Sequence, residues 1–415
     1  MSEAISRSTV DLISDCVHCG FCLPACPTYV SWGDEADSPR GRIDLMKGLA
    51  EGAITMDART VEHFDRCLGC MGCMTACPSG VRYDLLIEST KAAIDVQAPR
   101  SPLDRLFRTL VFAIFTRPAR LRALAPLLNL GAALGLNRFV RGGALLPRID
   151  VRAAAQPPAD QTAARGTRRA RVGLLPGCVQ QVMFPQVNAA SVRVLAAEGC
   201  DVTVPADAGC CGALSLHSGR SEEAKGFARA LIERFEREPL DAILTNVAGC
   251  GSTMKGYGEL LAGEPAWAGR AQRFSDRVRD INEFLAELGL RSTLHRMEST
   301  IAYHDACHLA HAQRIRQQPR DLLRAIPGVT LAEIPNGEQC CGSAGTYNLF
   351  QPDSAREIGE RKAGNVAATG AHIVASANPG CTLQIQMLLR ERGVEVTVLH
   401  PVEILDAAIR GGTIA

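Results

Sequence analysis

Everything else in this sequence is arranged around two twelve-residue runs. Residues 16–27 place cysteines at 16, 19, 22 and 26 with proline at 27, and residues 67–78 place them at 67, 70, 73 and 77 with proline at 78. Both read C-x2-C-x2-C-x3-C-P without a gap, a spacing with which thiolates hold 4Fe–4S clusters. Three thiolates two residues apart wrap a tight loop around three irons of a cube, while the fourth stands at the start of a helix and points toward the other cluster. The expected ligand sets are Cys16, Cys19, Cys22 and Cys77 for one cluster and Cys67, Cys70, Cys73 and Cys26 for the other. Proline after the fourth cysteine suits a first helical turn, where it has no N–H to lose. Structural zinc normally takes pairs of ligands rather than a run of four, and a disulfide framework does not repeat this spacing in a long chain.

A chain of 415 residues has room for two or three domains, and 47% apolar residues suits packed cores. A net charge of +1 provides no basic field for nucleic acid, so no such partner is expected. Seventeen cysteines behind a start, Met1 to Arg7, without an apolar leader segment point to a reducing cytoplasm and metal-bound thiols. No uncharged apolar stretch reaches the roughly 18–20 residues needed to span a bilayer. Any attachment to the inner face of the cell membrane is then peripheral or through a partner.

Residues 1–100 read as an α-helical ferredoxin domain with two 4Fe–4S sites, because alternating β-branched stretches are scarce there. Ser8 and Thr9 open a short helix into the first run. Ser38 caps a helix with Pro39 at its first position, and Ile43, Leu45, Met46 and Leu49 follow at helical spacing. Arg40 and Arg42 are expected to support packing, the alternative being contact with an acidic partner or cofactor. Residues 101–147 form a helical connector in which the apolar run Thr109–Thr116 is flanked by Arg108 and Arg117, and Leu121–Leu136 by Arg120, Arg122 and Arg138. Basic residues at the ends rather than along one face favour a hairpin buried against a neighbouring domain or subunit over a membrane-surface helix. Residues 148–170, with Pro157-Pro158 and no hydrophobic periodicity, read as a linker.

Beyond residue 170 the chain repeats itself. Cys178 to Cys307 is an offset of 129 residues, Cys210-Cys211-Gly212 to Cys340-Cys341-Gly342 of 130, and Cys250 to Cys381 of 131. Strand-like stretches precede each matched cysteine and helical stretches such as 221–236 and 353–369 lie between. The expectation is two duplicated α/β domains, 171–298 and 299–415, each around a parallel sheet, so that the fold class is α/β overall. Ligands in open α/β sheets bind beyond the carboxyl ends of the strands. Each half is therefore expected to gather four thiols at one edge, Cys178, Cys210, Cys211 and Cys250 or Cys307, Cys340, Cys341 and Cys381, or all eight meet between the halves. Gly212 and Gly342 fit a backbone passing close to a bulky ligand. Cys200, matched by Val329, reads as a small core hydrophobe. His304, Asp305, His308 and His311 around Cys307, and His18 in the first run, stand equally well as polar support for a metal site or as hydrogen-bonded loop residues.

A two-cluster ferredoxin module followed by two Cys-Cys-Gly domains resembles the iron–sulfur subunit of glycolate oxidase over nearly the whole chain. The matching strings are Cys16–Pro27, Ser38-Pro39-Arg40-Gly41-Arg42, Cys67–Pro78, both Cys-Cys-Gly triplets, His304-Asp305-Ala306-Cys307-His308-Leu309-Ala310-His311 and Asn378-Pro379-Gly380-Cys381. That resemblance implies FAD-containing flavoprotein subunits that oxidise glycolate or a related 2-hydroxy acid, with this chain carrying electrons onward toward membrane quinone and not catalytic alone. Consistently, no glycine-rich dinucleotide fingerprint follows a strand. The same architecture occurs in heterodisulfide reductase, lactate-utilisation and glycerol-3-phosphate dehydrogenase subunits, and a thiol-redox role is the alternative. Heterodisulfide reductase domains end in Cys-x-x-Cys, whereas Val247 and Asn378 stand three residues before Cys250 and Cys381. Four thiolates per half leave open one or two further clusters, zinc, or a structural zinc scaffold.

Overall fold

A computed structural model describes residues 11–98, 100–136 and 147–412. Ser8 and Thr9 of the lead-in helix, and Arg138 of the connector, lie outside these residues.

Among the described residues no strand occurs before residue 161. The N-terminal module is built from helices Pro27–Trp32, Pro39–Glu51, Ala58–Asp65, Gly72–Ala76 and Tyr83–Gln97. Ser38 caps the second of these as its sequence predicts, accepting from the Gly41 backbone N–H with Pro39 at the first helical position. Ile43, Met46 and Leu49 on its inner face pack with Val61, Phe64, Leu86, Ile87 and Ile94 into a small core that also holds Cys67 and Cys73.

The connector is a hairpin of helices Pro102–Phe115 and Pro118–Ala133. Leu121 and Ala125 are buried against Ile149, Ala154, Val182 and Met183, so one face packs on the domain that follows. Leu103, Leu106, Leu110, Leu127 and Leu130 on the other faces are exposed. No helix among the described residues is long and apolar enough to cross a membrane. The segment 148–170 carries a short helix, Val151–Ala154, and a strand, β1 (Gln161–Thr162), that pairs antiparallel with Val202 and Thr203.

The first repeat adds β2 (Ala170–Leu175), β3 (Cys200–Thr203), β4 (Ala242–Thr245) and β5 (Val278–Asp280), in the order β1-β3-β2-β4-β5. The second has β6 (Ser299–His304), β7 (Val329–Glu333), β8 (Ile373–Ser376) and β9 (Thr397–Leu399), in the order β7-β6-β8-β9. Apart from β1 every pairing is parallel, and β3-β2-β4-β5 superimposes in order on β7-β6-β8-β9. The duplication extends past the last matched cysteine. Both β5 and β9 lead into a helix closed by a capping box, Asp280 with Glu283 and His400 with Glu403. Helices Pro185–Ala197, Ile281–Leu288, Gln317–Arg324 and Pro401–Arg410 lie between the sheets. Their apolar faces, including Leu195, Leu285, Leu323 and Leu405, join Val172, Leu174, Ile301 and Tyr303 in one continuous core. The halves are thus locked together, with Arg193 paired to Asp406 at 2.7 Å.

Candidate iron–sulfur and thiolate centres

The two N-terminal runs fold alike because their backbones bend at the same two places. His18 and Gly20 in the first run, and Gly69 and Met71 in the second, all have positive φ. Only one of each pair is glycine, so each loop carries one side chain in the left-handed region, a strained arrangement that such sites tolerate. All 17 cysteines are free. One cavity is lined by Cys16, Cys19, Cys22 and Cys77, with Cys73 at its wall. A second is lined by Cys26, Cys67, Cys70 and Cys73. Cys77 thus lies with the cysteines of the first run and Cys26 with those of the second, while Cys73 lines both cavities, and thiolates so grouped suit 4Fe–4S clusters.

The fourth cysteines differ from one another. Cys26 caps helix Pro27–Trp32, with Pro27 in its first turn. Cys77 instead ends helix Gly72–Ala76, and Pro78 enters a turn that reaches Gly80 with positive φ. A helix start is expected at both positions; only Cys26 has it, while Cys77 caps the end of the helix before it.

Exposure separates the two pockets. Around the first, Cys19 is exposed and Val17 and Phe21 are 67% and 65% exposed. The second lies deeper, with Cys26, Cys67 and Cys73 buried. Burial pushes the Cys22 thiol up to about 11 and raises Cys70 and Cys73, where neighbouring thiols add to the effect. Cys67 is also buried, yet the Arg42 and Lys91 charges, the Gly69 N–H and the Tyr83 hydroxyl hold it below the usual thiol range. Arg42 is 1% exposed. Its Nε donates to the His63 carbonyl at 2.7 Å and it pairs with Asp37 at 3.3 Å. Arg40 binds Glu35 and donates to the His18 carbonyl. Both arginines are bound inside the module, in line with the packing role expected of them. The His18 ring sits at the surface, 3.8 Å from Asp44.

In the C-terminal halves each quartet gathers at the carboxyl edge of its own sheet. The Cys178 and Cys210 sulfurs are 3.4 Å apart, and the Gly212 N–H donates to Cys210 at 3.3 Å. Hydrogen bonds from Cys178, Cys211 and Gly212 hold Cys210 well below the usual thiol range. Cys211 in turn contacts Cys250. In the second half Cys307 contacts Cys340, and Cys341 contacts both Cys340 and Cys381, while Asn378 Nδ2 donates to Cys381 at 3.5 Å. A cavity of about 150 Å³ between the halves is lined by Cys178, Cys210, Cys211 and Cys250 and by Cys307 and Cys381. Gly212 and Gly342 do have positive φ, and a helix backbone stands close to each. A Cβ at Gly212 would lie 3.1 Å from the Ala224 carbonyl oxygen, and one at Gly342 only 2.4 Å from that of Ala355. Cys200 is fully buried in β3 among aliphatic side chains.

Histidines join the parts. His308 Nε2 donates to the Gly69 carbonyl at 3.1 Å, and its Nδ1 accepts from Ser252 Oγ at 2.8 Å. His311 Nε2 donates to the Glu338 carbonyl at 2.9 Å while its Nδ1 accepts from Thr75 Oγ1 at 2.7 Å. His217, which sequence reasoning missed, lies 3.0 Å from Glu88 and stacks edge-on against His308. Leu68 and Cys70 of the second N-terminal pocket pack with Cys307 and Cys340. Asp305 is taken up by a two-pronged bond from Arg320, both contacts 2.8 Å. Lys362, also missed, is buried with its Nζ on the Asn336 and Gly337 carbonyls. Its counterpart in the repeat, Leu231, is a signal that was available.

Comparison with known proteins agrees with this layout. A 4Fe-4S dicluster domain family model matches residues 12–81, a cysteine-rich domain model matches 172–255 and again 301–386, and a model for the linker region of the glycolate oxidase iron-sulfur subunit matches 103–154. A probable glycolate oxidase iron-sulfur subunit from Bacillus subtilis is 34% identical over 411 residues, 94% of this chain and 93% of the relative. The glycolate oxidase iron-sulfur subunit of Escherichia coli is 36% identical over 404 residues, 96% and 94% of the two chains. Lactate utilization protein A from Oceanobacillus iheyensis is 29% identical over 243 residues, covering 58% of this chain and 99% of that protein. A crystal structure of a hypothetical protein from Helicobacter pylori shares the fold with a TM-score of 0.57 at 7% identity, over 98% of this chain and 73% of that one.

Proposed function

Since the chain belongs to the family of glycolate oxidase iron-sulfur subunits, we propose that it is the electron-transfer subunit of a flavin-dependent complex that oxidises glycolate or a related 2-hydroxy acid to the 2-oxo acid. Removing two electrons and two protons from the hydroxy acid is work for FAD-containing partner subunits. Iron–sulfur clusters, when bound, supply one-electron steps that divide a flavin's electron pair. Cys16, Cys19, Cys22 and Cys77 would hold one 4Fe–4S cluster and Cys26, Cys67, Cys70 and Cys73 the other. The Cys178, Cys210, Cys211 and Cys250 quartet and the Cys307, Cys340, Cys341 and Cys381 quartet would hold further metal, as cluster or zinc.

The observation that carries this reading is the order in which the chain lays out its thiols. The first pocket is open at the surface beside Val17 and Phe21, where a flavoprotein can approach. The second is buried behind it, sharing Cys73 at the wall. His308 and His311 then hold the second pocket's loop against the second repeat, beside Cys307 and Cys340. An exit toward membrane quinone, from a chain bound peripherally at the inner face of the cell membrane, completes the proposal. The test is co-expression with the flavoprotein subunits. The isolated chain should oxidise no glycolate, and the assembled complex should reduce dye or quinone with glycolate, D-lactate, L-lactate or glycerol 3-phosphate, assayed side by side. Turnover by this chain alone would refute the division of labour.

A further inference from the structure

Strand β6 ends on a histidine where its counterpart in the first half ends on leucine. His304 and Leu175 are related by the 129-residue offset that relates Cys307 to Cys178, and they are the last residues of β6 and β2. Leu175 is fully buried in an apolar cluster that includes Cys211 and Cys250. His304 is 1% exposed, and neither of its ring nitrogens has a hydrogen-bond partner. A histidine kept only for packing normally satisfies at least one nitrogen when buried. What this ring meets is sulfur: one of its nitrogens and the Sγ atoms of Cys341 and Cys381 all lie within 4.8 Å of one another.

We infer that the second half binds its metal through a mixed donor set, a His304 nitrogen together with the Cys341 and Cys381 thiolates, and that the first half has no such set. Imidazole with thiolate selects zinc or iron over magnesium or calcium. Metal–sulfur distances of about 2.3 Å and metal–nitrogen distances of about 2.0–2.1 Å are reached from this arrangement by small side-chain rotations. Lys362 adds to the asymmetry. Its buried ammonium lies among Cys340, Cys341 and Cys381, where it offsets the negative charge of a thiolate-rich site, and its counterpart Leu231 is part of the apolar cluster around Cys211. The inference rests on the reading that the second half holds metal and adds to it the nitrogen ligand. If the metal is part of an iron–sulfur cluster, nitrogen ligation raises its potential above that of an all-thiolate centre, which makes the second half the place where electrons collect.

The test compares anaerobically purified full-length protein with its His304→Ala, His304→Cys and Cys381→Ser variants. Iron, zinc and sulfide are counted per chain, pulsed EPR reads nitrogen coupling at the second-half centre, and thermal unfolding monitors the fold. Where the count finds zinc, Co2+ exchanged into the same protein is the paramagnetic probe. Cys381→Ser and His304→Ala should each lose the metal of one site and keep the N-terminal iron. His304→Cys should keep the metal but lose the nitrogen coupling and, with iron, shift to a lower midpoint potential. Loss of metal in Cys381→Ser with unchanged content and nitrogen coupling in His304→Ala overturns the ligand role of His304 alone. Nitrogen coupling that persists in His304→Cys does the same without depending on the alanine variant. Full metal content in both Cys381→Ser and His304→Ala overturns the metal reading itself.

Discussion

The Nε2 of His308 donates to the carbonyl oxygen of Gly69 at 3.1 Å, which ties the loop of the buried N-terminal pocket to the residue next to Cys307. The same ring accepts from Ser252 of the first repeat, so one side chain touches three parts of the protein. His308→Ala should leave both N-terminal clusters bound but cost about 1–3 kcal/mol, the usual price of leaving buried polar groups unpaired. Backbone hydrogen exchange around Gly69 to Gly72 should accelerate. Unchanged exchange there would remove His308 as the docking residue.

Arg42 is the buried cation of the N-terminal module, shared among Asp37, Thr28 and the His63 carbonyl. Removing one member of a buried pair costs about 3–5 kcal/mol. Arg42→Met should fall near the low end, because Asp37 keeps Arg66 at 2.9 Å and His63 at 3.0 Å. Arg42→Lys should recover little, as an ammonium cannot make the forked contacts. Denaturant unfolding of the iron-loaded protein measures this, and equal stability of all three forms would contradict it.

Gly212 and Gly342 occupy matched places with φ of 82° and 86°. An alanine at either pays about 1–2 kcal/mol for the left-handed backbone. At Gly342 the added Cβ also meets the Ala355 carbonyl oxygen at 2.4 Å, against 3.1 Å for the nearest atom at Gly212. Gly342→Ala should therefore be clearly the more destabilised of the two in thermal unfolding. The opposite order would contradict the helix contact as the source of the difference.

Burial raises the Glu403 carboxyl to about 7, even though it accepts from the His400 N–H at 2.8 Å. A carboxyl whose folded value is raised contributes stability that is complete below its unfolded value of about 4.3 and is lost as pH rises to about 7. Glu403→Gln keeps the hydrogen-bond acceptor and cannot ionise. The melting temperature of the parent minus that of Glu403→Gln should fall between pH 4.5 and 7 and level off above. A difference independent of pH would show that Glu403 ionises normally.

Much of this was legible in the sequence because thiolate spacing is a strict geometric requirement. The crossing of Cys26 and Cys77 between pockets and the edge positions of the later cysteines follow from spacing and strand direction alone. Strands β5 and β9 were not read, since three residues leave too short a pattern to detect. The burial of Arg42 and the bridging by His308 depend on which surfaces meet after folding, and local pattern carries no record of that. The approach of the Ala355 carbonyl to Gly342 is visible only once the helix has packed. Lys362 against Leu231, and His304 against Leu175, were recoverable by aligning the repeat beyond its cysteines.

Electron delivery through the Cys26, Cys67, Cys70 and Cys73 pocket is tested most directly by placing Cys67→Ser in the complex assembled with its flavoprotein subunits. Glycolate-dependent flavin reduction, iron content and acceptor reduction are measured on the same preparation. The expected result is flavin reduction at the parent rate, loss of about one cluster's worth of iron, and acceptor reduction at background. Acceptor reduction at the parent rate in a variant that has lost that iron would contradict it.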